Sequence, residues 1–158
     1  LDGHRYEFET GLNWKLDAKN LLKVTLGWDR KVAFGDTEDR FGYSAGISHI
    51  WLMDKGKFLV TSADFNINRY RVPDLVTDPI APQVRHDRGA RFRMTYGAPI
   101  GAILSESEVS GIGKKYYDFY KDITWSISGE IYDQRSNIVS FEFLNIKAQA
   151  LLTKVWNF

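Results

Sequence analysis

The feature that most constrains this chain is an alternation of apolar and polar residues with a period of two. From Tyr6 to Leu16 the even positions are mostly apolar or aromatic, and the odd positions are polar or glycine. Because successive side chains of a strand point to opposite faces, this pattern predicts a β-strand with one apolar and one polar face. The alternation resumes after the polar residues 17–20, which predicts a hairpin.

The same pattern recurs along most of the chain, with turn-forming residues between the alternating segments. A tight turn is predicted at 54–56 and a loop at 133–137, whereas residues 102–122 fit a long turn, a short helix or an irregular strand. The sequence therefore predicts one all-β domain over residues 1–158, with seven or eight strands and no convincing helix. The further predicted strands cover approximately residues 22–29, 41–51, 57–71, 90–98, 123–131 and 146–158.

The composition restricts the class of protein further. Aromatic residues make up 15% of the chain although the mean hydropathy is −0.33, and no apolar run is long enough for a transmembrane helix. The formal net charge of +1 gives no reason to expect nucleic acid as a partner. Since the chain contains no cysteine, disulfide scaffolds and thiolate metal sites are excluded.

Two architectures can use such strands: a soluble β-sandwich or lipocalin-like barrel, and a transmembrane antiparallel up-and-down β-barrel. The predicted strands run to roughly 11 to 15 residues, which exceeds the usual length of about 5 to 6 and suits a tilted membrane strand of about 9 to 11. Connections alternate between short and long, as in outer-membrane barrels. Residues 102–122 depart from this rule because they are too long for a periplasmic turn. We expect the membrane barrel.

Four tryptophans follow a rule that the strand assignment did not use. Each lies within about three residues of the strand end that would face the periplasm, and together they predict an interfacial aromatic girdle. His49 and Lys154 depart from the pattern because they fall on the same face as the tryptophans, where charge is costly away from the interface. The girdle residues are Trp14, Trp51, Trp125 and Trp156.

The polar faces combine glycine and serine with charged residues, a mixture suited to a wet lumen in which opposite charges pair. The residues predicted to line this lumen or pore are Asp64, Arg91, Arg93, Glu130 and Lys147.

A basic cluster flanks the long proline-containing loop at about residues 72–87, and as an external cluster it would bind lipopolysaccharide phosphates. The competing interpretation is a structural plug, in which the cluster pairs with Asp74, Asp78, Asp87 and Glu130. The basic residues around this loop are Arg69, Arg71, Arg85, His86, Arg88, Arg91 and Arg93. Arg69, Arg71, Arg85 and Arg88 are the members of the external-loop basic cluster, whereas Arg91 and Arg93 point into the lumen and would select anions or hold an acidic polymer.

The last seven residues, Leu152 to Phe158, resemble the C-terminal β-signal that the barrel-assembly machinery reads in Gram-negative outer-membrane proteins, with Trp156 and Phe158 as its aromatic positions. A longer pattern is similar to the C-terminal barrels of outer-membrane proteins that carry tetratricopeptide repeats, such as surface lipoprotein assembly modifiers. The segments that carry this likeness are Asn68-Arg69-Tyr70, Arg85-His86-Asp87, Tyr96-Gly97-Ala98-Pro99 and Gln134-Arg135-Ser136-Asn137-Ile138.

The resemblance implies a place in the bacterial outer membrane and a role in translocation or export, and it assigns no catalytic residue. The implied partners are outer-membrane lipid and lipopolysaccharide, the barrel-assembly machinery and a periplasmic helical-repeat domain. Because single-chain bacterial barrels normally have an even number of strands, a count of seven indicates either an eighth strand within residues 102–122 or the C-terminal part of a larger barrel. We expect the second, since the sequence begins inside an amphipathic strand without a leader.

Nothing in the sequence predicts an enzyme, a cofactor or a metal site. The three histidines, His4, His49 and His86, are far apart, and Ser48 and His49 are placed on opposite faces by the period of two. Gly111 to Lys115 lack the pattern of a phosphate loop. The predicted function is a pore or an export channel. The alternatives are a non-transporting anchor or assembly-partner barrel and, least favoured, a lipid-modifying enzyme.

Overall fold

The computed structural model describes residues 3–33, 38–73, 82–104 and 116–154 of the chain. It confirms an all-β fold. Seven strands follow one another in the sequence, and a four-residue helix, α1 (Tyr117–Tyr120), precedes the sixth. The strands are β1 (Gly3–Lys15), β2 (Asn20–Ala33), β3 (Arg40–Leu52), β4 (Phe58–Pro73), β5 (Val84–Pro99), β6 (Thr124–Ser136) and β7 (Phe143–Thr153).

The strands form one antiparallel up-and-down sheet in the order β1 to β7. Residues 16–19 and 53–57 make the tight connections of the first and third strand pairs, and they define the hairpin end of the sheet. The opposite end, where β2 is joined to β3 and β4 to β5, is the loop end. In the first hairpin the backbone N–H groups of Lys19 and Asn20 donate hydrogen bonds to Asp17 Oδ1, with N···O distances of 2.7 and 2.8 Å. This turn fixes the pairing of β1 with β2.

The described sheet is open, so the prediction of a barrel closed within this chain is wrong. The outer edges of β1 and β7 are the two ends of the strand order. With seven strands in an up-and-down order, β1 and β7 run in the same direction, and they therefore cannot close an antiparallel barrel on each other. The prediction that these strands belong to a larger barrel stays a prediction.

The predicted loop at residues 133–137 is also wrong, because β6 continues to Ser136. The rings of Tyr132 and Phe143 pack edge to face with centroids 5.6 Å apart, and Gln134 donates a side-chain hydrogen bond to the carbonyl of Phe141 at 3.0 Å. These contacts extend the pairing with β7 through polar residues. Similarly, β5 begins at Val84, several residues before the alternation becomes regular.

Within the uncertain segment 102–122, the structure describes the end of one 3₁₀ turn, Ile100–Ala102, and the helix α1. Residues 105–115 lie outside the described part. No helix among the described residues is long and apolar enough to cross a membrane.

A single layer of strands leaves almost no core. Among the described residues only two hydrophobic side chains are buried, Tyr70 and Ala98. Large apolar side chains on one face remain exposed, including Phe8 at 63% and Ile146 at 69%. The apolar face of the sheet is therefore uncovered in the described chain.

Candidate functional site

The strand register places the polar residues of all seven strands on one continuous face. One row across this face runs from Asn13 on β1 to Lys147 on β7, and the next row begins at Gly11 and ends at Asn145. The side chains predicted to line a lumen lie in these two rows. They are Asp64, Arg91, Arg93, Glu130 and Lys147.

Three of these residues, Arg91, Arg93 and Lys147, converge on the carboxylate of a fourth, Glu130. Glu130 forms a close ion pair with Arg93, accepting hydrogen bonds from Nε at 2.9 Å and from Nη2. Its Oε1 atom lies 3.6 Å from Lys147 Nζ and 3.9 Å from Arg91 Nε. Three cations on β5 and β7 therefore share one anion on β6, and the group carries a net positive charge.

The converging side chains line a groove of about 580 Å³ on the polar face, which we call the cationic groove. Glu130 is only 12% exposed, whereas the side chains of Arg91, Arg93 and Lys147 are 43, 51 and 63% exposed. The carboxylate is thus covered by the cations, and the cations face the open space. Thr95, Ser128 and Gln149 complete the hydrogen-bonding lining.

Asp64, the fifth predicted residue, stands beside the groove and turns away from it. Arg91 is its register partner on β5, but the Asp64 carboxylate lies across β3 on the other side. There, a methyl group on Gly46 would come within 2.7 Å of Asp64 Oδ1 and of Thr25 Oγ1. Glycine at this position makes room for the carboxylate to lie flat on the neighbouring strand.

A second charged group occupies the polar face nearer the loop end. Asp29 Oδ2 lies 3.4 Å from Arg40 Nη2 and 3.8 Å from Arg5 Nε, and Arg5 also pairs with Glu7 at 3.4 Å. A smaller groove of about 210 Å³ is lined by these residues. Two cations, Arg5 and Arg40, and three carboxylates, Glu7, Glu9 and Asp29, line this groove. It therefore has no excess of positive charge, in contrast to the cationic groove.

The four arginines of the predicted external-loop cluster lie in the strands that flank the long loop, Arg69 and Arg71 in β4 and Arg85 and Arg88 in β5. Their role as an external cluster stays a prediction. Two of the carboxylates proposed to pair with them, Asp74 and Asp78, lie outside the described residues. The third, Asp87, pairs with Arg85.

The pair of Arg85 and Asp87 is the most buried ion pair among the described residues. The sequence did not predict the two aromatic rings that contact Arg85. Arg85 Nε donates to both carboxylate oxygens of Asp87 at 2.9 and 2.8 Å, and the Asp87 side chain is 1% exposed. The guanidinium lies between two rings, 4.4 Å from the centroid of Tyr70 and 3.6 Å from that of Phe141. The spacing of two residues between Arg85 and Asp87 indicates that they share a face of the strand. The contacts of Arg85 with Tyr70 and Phe141 cannot be predicted from a local pattern, because both residues are distant in the sequence.

On the apolar face, three of the four described tryptophans, Trp14, Trp51 and Trp125, follow a diagonal across the strands, whereas Trp28 lies near the loop end. The residues paired in the same row as Trp14 include His49 on β3 and Gly129 on β6. Trp51 and Trp125 lie two and four residues from those positions, toward the hairpin end. With about 3.3 Å per residue and about 4.8 Å between strands, the line through the tryptophans is inclined by about 30° to the rows of paired residues.

Charged residues mark a second diagonal on the same face at the loop end. Arg30 on β2 and Arg69 on β4 share a row, Arg88 on β5 lies two residues nearer the hairpin end, and Asp133 on β6 lies four residues nearer. From Arg30 to Asp133 the same spacings give a mean inclination of about 35°, all of which arises between β4 and β6 because Arg30 and Arg69 share a row. The mean directions of the two lines are therefore nearly parallel, and the lines bound the apolar region.

The two residues that departed from the apolar pattern both have partners. The ring nitrogen Nε2 of His49 lies 2.9 Å from Oδ1 of Asn20 on the neighbouring strand. At the hairpin end, Lys154 donates to the carbonyl of Phe119 in α1, and its Nζ lies 3.5 Å from the centroid of that ring. Trp156 and Phe158, the predicted assembly signal, lie outside the described residues, so the girdle is described at Trp14, Trp51 and Trp125 alone.

The described part of the chain contains no group of three or more side chains suited to hold a metal ion. Comparisons of the chain with protein-family models, curated proteins and solved structures found no match.

Proposed function

We propose that the chain forms part of the wall of an outer-membrane β-barrel, with its apolar face against lipid and its polar face lining an aqueous pore or export path. The observation that carries this proposal is the apolar region bounded by two parallel diagonals. The surface of a membrane crosses tilted strands on a diagonal, because each strand meets it at a different residue. Both lines are therefore explained if the strands are tilted by about 30 to 35° from the membrane normal, near the 35 to 45° of outer-membrane barrels.

The height of the region agrees with the same proposal. On β1 it extends from Tyr6 to Trp14 and on β4 from Leu59 to Ile67, or about nine residues on each strand. Nine residues span about 26 Å along a strand and about 23 Å along the membrane normal at this tilt. The apolar band of an outer-membrane barrel is about 25 Å tall. A soluble sheet has no physical reason to leave such a band exposed.

The polar face supports a water-filled path because its charges would be costly against lipid. Arg91, Arg93 and Lys147 lie midway between the two ends of the sheet, where no headgroup region could solvate them on the outer side. Since β1 and β7 carry open edges, and lipid cannot satisfy unpaired backbone groups, further strands must complete the wall in a membrane.

Adjacent positions on β6 provide a matched test of the pore, because the chain contains no native cysteine. Ser128→Cys lies in the cationic groove and Ile127→Cys on the apolar face. We expect protein purified from membranes and reconstituted in planar bilayers to give discrete conductance steps. Charged methanethiosulfonate reagents should change the step size of the Ser128 variant and leave that of the Ile127 variant unaltered.

Bilayers that stay silent although the protein is inserted would contradict the pore and favour the alternative, a non-transporting anchor or assembly-partner barrel. The convergence of three cations on Glu130 is the observation in favour of that alternative, since such pairing also stiffens a wall that conducts nothing. Equal modification effects at the two positions would contradict the assignment of the faces.

A further inference from the structure

We infer that the cationic groove is a binding site for multivalent oxyanions, molecules that carry two or more phosphate or carboxylate groups. The inference rests on the proposed function, because it names the class of solute that the aqueous face would hold or pass. Its basis is an excess of positive charge in one groove, together with donors that the protein itself leaves available.

The charge balance of the groove is the first step. Arg91, Arg93 and Lys147 contribute three positive charges, and Glu130 returns one negative charge. Asp64 turns its carboxylate toward β3 and away from the groove. Two positive charges therefore face the open space without a carboxylate from the lining, and a ligand with at least two negative charges would balance them.

The remaining hydrogen-bond donors are the second step. A guanidinium has five N–H donors in a planar fork suited to phosphate and carboxylate. Arg93 gives Glu130 two of its donors. The contact of Arg91 with Glu130 is a long one at 3.9 Å, and its guanidinium lies 5.0 Å from the centroid of Tyr132. Both arginines therefore keep N–H groups that can reach a ligand.

The net charge of the groove, and not the distance between its cations, favours a ligand with more than one negative charge. The three cationic groups all lie within 3.9 Å of the Glu130 carboxylate, so their charged ends are close together. A monovalent anion would leave one positive charge unbalanced, whereas a ligand with two or more negative charges balances both. Thr95, Ser128 and Gln149 add neutral hydrogen-bond partners around it.

The group at Asp29 is an internal contrast. Arg5 and Arg40 also lie on the polar face, but Glu7 and Asp29 pair with them and Glu9 lines the same groove. The same sheet therefore presents one groove without excess positive charge and one that is positive, and only the second should bind anions.

The test is calorimetric titration of the full chain in detergent micelles with inorganic pyrophosphate and with citrate, at fixed ionic strength. We expect saturable binding of at least one probe. Arg91→Gln with Arg93→Gln should weaken binding about tenfold or more, because the charge-assisted contacts of both guanidinium groups with the ligand are lost. Glu130→Gln should strengthen binding severalfold, because it removes the competing carboxylate. Stronger binding of pyrophosphate would identify phosphate as the preferred group, and stronger binding of citrate would identify carboxylate.

The matched control is Lys23→Gln, which removes a cation from the same row of the polar face but outside the groove. It should leave binding unchanged. Absence of saturable binding by the wild-type chain, or equal losses in the control and the double variant, would overturn the inference. Because binding is measured in micelles, a chain that binds neither probe but conducts in bilayers would refute the anion site alone. Protein purified from membranes, which retains the strands that complete the wall, would refute the proposed function alone if it bound pyrophosphate and failed to insert again into bilayers.

Discussion

Asp17 shows how one carboxylate sets the first turn of the sheet. The backbone N–H of Lys19, followed by the side chain of Asn20, lowers the pKa of Asp17 below its ordinary value. A lowered folded-state pKa means that the carboxylate stabilises the fold at pH values above the ordinary pKa of about 3.9. That contribution is lost as the pH falls through the lower, folded-state pKa.

We therefore expect Asp17→Asn to reduce the dependence of stability on acid pH below about 4. Unfolding by urea in detergent micelles, measured by circular dichroism at several pH values between neutral and about 2, checks this. Near-neutral pH should show the largest gap between the wild-type chain and the variant, and the gap should close in acid. A gap that widened as the pH fell would contradict the account.

Gly42 shows why the polar face needs small residues. A methyl group there would overlap Oδ1 of both Asp29 and Asn68, which lie flat over β3 from either side. Because both oxygens are ends of side chains that can turn aside, Gly42→Ala should destabilise the sheet by about 1 kcal/mol, the lower end of the usual range for overpacking. Gly129→Ala is the matched control because a methyl group there meets no atom within 4 Å. Equal urea midpoints for the two variants would show that this crowding is not significant.

The join between β4 and β5 depends on the pair of Arg85 and Asp87. Asp87→Asn leaves a guanidinium held between two rings without its carboxylate, and breaking such a buried pair costs about 3 to 5 kcal/mol. We expect a loss near the lower figure in urea unfolding, because the Arg85 side chain keeps 14% exposure. Lys19→Gln removes an exposed pair with Asp54 and should have a much smaller effect. If both variants unfold at the same urea concentration, the pair does not stabilise this join.

How far the strands could be predicted depended on how clean their alternation was. In β1 to β4 the period of two located each strand to within a few residues. β6 was cut short because Asp133 to Ser136 are consecutive polar residues, and their strand conformation is held by Tyr132, Phe143 and Phe141, contacts made across strands or across the following loop. A local pattern contains no information on those contacts.

The alternation also predicted which residues of the candidate site share the polar face, but it did not predict which of them are in contact. Arg91, Arg93, Glu130 and Lys147 could be assigned to the polar face from parity alone. Their convergence on one carboxylate depends on the register of β5, β6 and β7, which the sequence does not specify. The neutralisation of Arg5 and Arg40 by Asp29 likewise required the register of β1 to β3.

Over the described residues the molecule is a single sheet with two chemically distinct faces and two open edges. The proposed contact with a membrane rests on the height and inclination of its apolar face, and its polar face carries a groove of net positive charge. The odd number of strands requires that any antiparallel wall returning from β7 to β1 contain an odd number of additional strands. A seven-stranded sheet of this kind is therefore one arc of the proposed barrel.

The most direct measurement of the central proposal is a nitroxide scan along β4, with single cysteines placed in turn from Leu59 to Ile67 in the cysteine-free chain and the protein reconstituted in lipid vesicles. We predict that nitroxides at the odd positions relax faster with oxygen, which partitions into lipid. Those at the even positions, including Ser62 and Asp64, should relax faster with a water-soluble nickel complex. Odd positions that are shielded from oxygen, or that follow the even positions in their response to nickel, would contradict the proposed contact of the apolar face with lipid.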